Sequence, residues 1–126
     1  MMKSLGNHFL LDLWGVSPTI LNDDEELERL LLSAAEAGGA HPVECWFRFF
    51  EPQGITGVIL LNESHLTIHT WPELAYAAVD VFTCGPASVG HSVSREILAV
   101  LQPDRHEMRR LCRGLLPDGL THTIHQ

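Results

Sequence analysis

The sequence predicts an α+β fold. It is a two-layer α/β sandwich in which an antiparallel sheet carries two helices on one face, in the order β-α-β-β-β-β-α-β. Three observations point there. Short runs rich in Val, Ile, Leu and Thr are separated by tight-turn residues, as between Phe50 and Ile55. Two longer stretches space their apolar residues three and four apart. The chain has 126 residues and no repeats, linkers or low-complexity tracts, which suits a single domain over 1–126.

Leu5 to Trp14 alternates and reads as a first strand, ended by Gly15 and Pro18. Asn22 or Asp23 then caps a helix whose first turn is acidic. Its apolar stripe is Leu27, Leu30, Leu31 and Ala34, and Gly38-Gly39 stops it. Pro42 to Phe50 reads as a strand, and Glu51-Pro52-Gln53-Gly54 turns the chain so that Ile55 to Leu61 returns as its hairpin partner. Leu66 to Trp71 is a further strand, broken by Pro72. Tyr76 to Phe82 follows, with Ala77, Val79 and Val81 on one face and Gly85-Pro86 closing it. Ser88 to Leu101 is a second amphipathic helix with Val93, Ile97, Val100 and Leu101 inward. Arg105 to Arg113 fits an edge strand or a helix equally, and Leu115 to Gln126 reads as a loose tail. Trp14 and Trp46 are read as core packing, and Cys45 and Cys112 as buried thiols. The sheet's second face needs a cover: Trp46, Phe49 and Trp71 are costly to expose together, which predicts a homodimer.

Composition removes several functions. A net charge of -8 argues against a nucleic-acid partner, because phosphate contacts need a basic face. No apolar run approaches the roughly 18 residues of a membrane span, and Met1 to Gly6 has no signal-peptide core. Three cysteines without framework spacing predict reduced thiols in a cytoplasm. The only lysine is Lys3, near the N-terminus, so an internal-lysine Schiff base with pyridoxal phosphate is not expected.

The chemistry concentrates in Glu63-Ser64-His65-Leu66-Thr67-Ile68-His69-Thr70-Trp71-Pro72-Glu73, a β-prone stretch loaded with polar groups. A metal reading needs His65 and His69 on one turn of helix, but Thr67, Ile68 and Thr70 favour a strand, where four residues span roughly 13 Å. No metal is therefore expected. A serine-hydrolase elbow needs flanking glycines that Ser64 lacks. The plain alternative is that Ser64 and both histidines are satisfied polar residues at a strand entry. A third reading explains the missing lysine as well. A serine exposed at a strained strand junction attacks its own preceding carbonyl, the resulting ester eliminates, and the serine's remains become an N-terminal pyruvoyl group. That ketone is an electron sink that needs no lysine.

The 25-residue block "LNESHLTIHTWPELAYAAVDVFTCG", Leu61 to Gly85, closely resembles the signature of the short prokaryotic S-adenosylmethionine decarboxylases, which are pyruvoyl-dependent and made as proenzymes. The resemblance extends to "KSLGNH" at Lys3 to His8, "RF" at Arg48-Phe49 and "GITGVIL" at Gly54 to Leu60, and weakens after Gly85. It implies self-cleavage between Glu63 and Ser64, giving a β chain 1–63 and an α chain 64–126 that begins with the pyruvoyl group. It implies that His69 transfers a proton in processing, that Cys84 is the proton donor in catalysis, and that Glu73 holds the substrate's ribose. Phe49 and Trp71 match positions lining the site, where aromatic faces attract a sulfonium and stack on adenine. The substrate α-amine forms a Schiff base with the pyruvoyl ketone, CO₂ leaves, and Cys84 returns a proton to the former α-carbon. The implied product is decarboxylated S-adenosylmethionine, the aminopropyl donor of spermidine biosynthesis. The implied assembly is a cytoplasmic homodimer of processed αβ protomers with shared active sites.

Four departures from the pattern bear on substrate more than on reaction type. Thr56 stands where the family commonly has a processing Ser, and it keeps the hydroxyl. Phe47 precedes Arg48 where a His is common, Asn7 replaces a common Arg, and the Glu51 to Gln53 turn carries one extra residue. Arginine or ornithine decarboxylation of the same kind, or a regulatory paralogue that never cleaves, are the alternatives. His8 matches a family position without an implied role.

Overall fold

The computed structural model describes residues 3–117. Six strands, β1 (Lys3–Trp14), β2 (Pro42–Phe49), β3 (Ile55–Leu61), β4 (Ser64–Trp71), β5 (Tyr76–Cys84) and β6 (Arg105–Leu116), form one antiparallel sheet in the order β2-β3-β4-β5-β1-β6. The helices are α1 (Pro18–Leu21), α2 (Asp24–Ala37) and α3 (Ala87–Leu101). The α+β sandwich and its element order are as the sequence predicts, with two short additions, α1 and a single 3-10 turn at Pro72–Leu74. Ser17 and Pro18 start the single turn of α1 ahead of the long helix, which Asp23 caps by accepting the Glu26 N–H at 3.1 Å.

Strand alternation sorts the two faces. Leu11, Leu13, Ile59, Leu66, Ile68, Val79 and Val81 point to the helices and are at most 1 % exposed. Leu27 and Leu31 of α2 and Val93 and Ile97 of α3 meet them. Helix α3 approaches the sheet closely because Gly90 has no side chain: a Cβ there would sit 2.6 Å from the Phe9 ring of β1. No helix among the described residues is long and apolar enough to cross a membrane.

Several expectations are corrected. Arg105 to Arg113 is a strand, and it runs on to Leu116, so the segment read as tail begins inside β6; residues 118–126 lie outside the described residues. β6 pairs with β1 from Lys3↔Leu116 to Trp14↔Arg105, which satisfies the outer backbone groups of β1. Trp46 is not core but 58 % exposed, because it points away from the helices on the edge strand β2. Trp14 is half-buried on that open face, with the Arg105 guanidinium 3.9 Å from its ring. Phe49 does not share the open face with Trp46 and Trp71; it lies one residue out of phase and packs toward the helices. Cys45 is half-buried against the core and Cys112 is exposed.

Candidate active site

The hairpin joining β3 to β4 has a two-residue loop, Asn62-Glu63, closed by the pair Leu61↔Ser64. Such loops usually place positive φ on their own residues. Here neither loop residue does so, and the positive φ, 151°, falls on Ser64. Residues other than glycine rarely occupy this region, at a cost of about 1–3 kcal/mol. Ser64 is also not exposed, as the sequence suggests, but 7 % accessible, because β4 begins with it rather than at Leu66. Its strand partner on the other side is Thr83, whose buried hydroxyl has no hydrogen-bond partner among the described residues.

The carbonyl oxygen of Glu63 accepts the main-chain N–H of Cys84 at 2.9 Å. The last residue of β5 thus holds the carbonyl that precedes the strained serine. Within the same chain, the Ser64 hydroxyl lies 3.3 Å from Nδ1 of His65. Burial pushes the His65 pKa down, nearby His8 adds to this, and Asp80 opposes it; the net shift is downward, so the ring favours its neutral form.

A second cluster sits at the far end of β4. Thr56 and His69 are cross-strand partners, with Oγ1 to Nδ1 at 3.0 Å. They line a cleft of about 260 Å³ with Trp71, Glu73 and Phe50. Pro72 to Leu74 forms a single 3-10 turn that brings Glu73 to the cleft. Phe49 lines a neighbouring groove of about 710 Å³ with Asp23, Asp24 and Glu73. The aromatic beside His69 and Trp71 is therefore Phe50, which sequence reasoning passed over; the turn that carries it out of β2 was the available signal.

The two clusters do not meet within one chain. Five positions along the strand separate Ser64 from His69, roughly 16 Å. Glu63, Ser64 and Cys84 are brought together; Thr56, His69, Trp71 and Glu73 are brought together elsewhere. Between them the open face carries a polar network. His8 Nε2 is 3.0 Å from Asp80, Thr67 donates to Asp80 at 3.3 Å, and Tyr76 donates to Asp12. Burial and the Asp12 hydrogen bond push the Tyr76 pKa up to about 12.

Comparison with known proteins gives one family. Residues 7–114 match the family model described as S-adenosylmethionine decarboxylase. The chain is 45% identical over 118 residues to the S-adenosylmethionine decarboxylase proenzyme of Methanococcus maripaludis, covering 94% of this chain and 97% of the relative. It is 44% identical over 117 residues to the proenzyme of that name from Pelotomaculum thermopropionicum, covering 93% of each. The crystal structure of the adenosylmethionine decarboxylase from Aquifex aeolicus superposes with a TM-score of 0.87 at 36% identity, over 95% of this chain and 99% of that one.

Proposed function

Because the chain belongs to the S-adenosylmethionine decarboxylase family, we propose that it cuts itself between Glu63 and Ser64 and then decarboxylates S-adenosylmethionine. The observation that carries this reading is the hydrogen bond from the Cys84 N–H to the Glu63 carbonyl, set directly before a serine at φ 151°. In the cut, Ser64 Oγ bonds to the Glu63 carbonyl carbon, the C–N bond breaks, and the nitrogen takes up the hydroxyl proton. The Cys84 N–H sits where oxyanion charge develops, and opening the peptide bond relieves the serine's strain. Loss of the Ser64 α-proton then breaks its Cβ–O bond. The β chain 1–63 leaves with the carboxylate, and hydrolysis with loss of ammonia gives a pyruvoyl terminus on the α chain 64–126.

A pyruvoyl group fits the residues around position 64: the Thr83 hydroxyl, unpartnered among the described residues, lies directly across the ladder, and Ser64, Thr83 and Cys84 would hold the group. It supplies a ketone that captures a substrate amine and accepts the electron pair released with CO₂. Cys84 ends β5 beside this position and is assigned the proton returned to the α-carbon. Trp71 and Glu73 are assigned the sulfonium and the ribose hydroxyls, with Phe49 and Phe50 flanking the grooves beside them. The product would be the aminopropyl donor for spermidine synthesis.

His69 and Thr56 assist from a second copy. A two-fold pairing of open faces sets the Ser64 and Cys84 end of one chain against the His69 and Glu73 end of the other. Trp46, Leu60, Trp71 and Leu111, all on the open face and at least 40 % exposed, supply the apolar contact. Cysteines outside any disulfide support a cytoplasmic setting. The test is intact-mass measurement of the purified protein. Two chains split between 63 and 64, the second without a free amine, support the reading; a Ser64→Ala protein that still splits there ends it.

A further inference from the structure

The strain at Ser64 needs something to hold it, since a loop of Asn62 and Glu63 has an easier shape available. Asparagine tolerates positive φ better than serine does. A turn with positive φ on its own two residues would let Ser64 relax into ordinary strand geometry.

One residue opposes that relaxation. His41 lies just before β2, next to a register shift between Pro42 and Glu44. Its main-chain N–H donates to Glu63 Oε1 at 3.0 Å, and its ring Nδ1 lies 2.7 Å from Glu63 Oε2. Its carbonyl accepts the Asn62 N–H at 2.9 Å. Both loop residues are thus stitched to His41, while the Glu63 carbonyl is held from the other side by the Cys84 N–H. Partial burial pushes the Glu63 carboxyl up, but the hydrogen bonds from the His41 ring and main chain outweigh it and hold the group below its ordinary range. The carboxylate is therefore charged and able to accept both bonds.

We propose that His41 is a positioning residue for self-cleavage. By gripping both oxygens of the Glu63 carboxylate it fixes the turn in the shape that leaves the positive φ on Ser64. His41 touches no reacting atom; it acts through Glu63. The proposal rests on the self-cleavage reading and adds to it a device that loads the scissile bond from outside the Leu61 to Gly85 block.

The experiment follows the initial rate of chain cutting in freshly folded protein, with hydroxylamine added in parallel to trap the ester. His41→Ala removes the ring bond to Oε2 and keeps the main-chain bonds, so it slows cutting and lowers the trapped ester by part of the roughly 5- to 150-fold that strain of this class represents. His41→Asn, which keeps a side-chain donor near the Nδ1 position, restores most of the rate. In a Glu63→Ala background, His41→Ala has no further effect. The His41 side chain is 69% exposed, so these variants fold, and melting curves in a Ser64→Ala background check that they do. Wild-type protein that cuts while His41→Ala cuts equally fast overturns the clamp alone. So does a His41→Ala defect that persists undiminished in the Glu63→Ala background. Wild-type protein that never cuts overturns the self-cleavage reading and the clamp with it.

Discussion

Cys84 is given two separable tasks by its place at the end of β5. Its backbone N–H holds the Glu63 carbonyl, and its thiol is assigned to the decarboxylation step. Cys84→Ala keeps the first and removes the second. It should therefore cut normally and release CO₂ about 10²-fold more slowly, the scale of a lost general acid. Rapid CO₂ release by that variant would reduce the thiol to a packing role. Glu73 is tested by comparison: Glu73→Gln should lower turnover of S-adenosylmethionine roughly 5- to 150-fold, the effect of leaving a polar group unpaired. If arginine or ornithine is the preferred substrate of the wild type, the ribose assignment fails. His65 gives a pH dependence. Its folded pKa lies below its unfolded value, so its contribution to stability is complete above about 6.5 and is lost as pH falls toward the folded pKa. Denaturant titration of an uncut Ser64→Ala protein should show that loss, and His65→Gln in the same background should flatten it. Ser64, His69 and Cys84 were legible as site candidates because the motif names them; the test of their roles is still the chemistry. Phe50 was not legible, because one residue of phase along β2 decides which aromatic reaches the cleft, and the turn after it sets that phase. Asn7, where the family commonly has an Arg, has a structural role. It is buried, accepts the Arg110 guanidinium at 2.8 Å and donates to the Gly85 carbonyl at 3.3 Å, tying β6 to the turn after Cys84.

At the level of elements, alternation and helical spacing made β1, β3, β5, α2 and α3 readable to within two residues of their ends. β6 resisted because Arg105 to Arg113 shows no apolar period: the strand lies at the sheet edge, and only Met108 among its residues packs on the core. What makes it a strand is the long unpaired edge of β1, which local sequence does not display. Trp46 misled for a related reason, since an aromatic in a β-prone run looks buried until the sheet order shows that its strand is an edge. The α3–sheet contact is a further point where an element can be tested. Gly90→Ala would drive a methyl into the Phe9 ring and the Thr83 hydroxyl, 2.6 and 2.8 Å from the new carbon. The variant should be destabilised by about 1–3 kcal/mol, read from its unfolding midpoint.

For the whole molecule, the consequence of two half-sites roughly 16 Å apart is that a lone chain should be inactive. Sedimentation of the cut enzyme should show a dimer at micromolar concentration, and an active monomer would refute the shared site. A mixing experiment is sharper. Co-expressed His69→Ala and Cys84→Ala chains form mixed dimers in which one site carries both defects and the other none. Activity should return to roughly a quarter of the wild-type level after statistical pairing. No recovery would mean that each chain completes its own site.

The sheet order carries one more implication. Under the proposed cut, strands β1, β2 and β3 would fall to the piece ending at Glu63, and β4, β5 and β6 to the piece starting at Ser64. Yet β1 lies between β5 and β6. The two products of such a cut would be interlaced: the first fragment would run a strand through the middle of the second. Neither can drift away while the sheet stands, so separation and denaturation are one event. Before the cut, recovery from denaturant is a unimolecular search by a tethered chain. Afterwards two pieces must find each other, and recovery should become slower on dilution. Self-cleavage would thus give the molecule a history, in which the form that folds easily precedes the form that works.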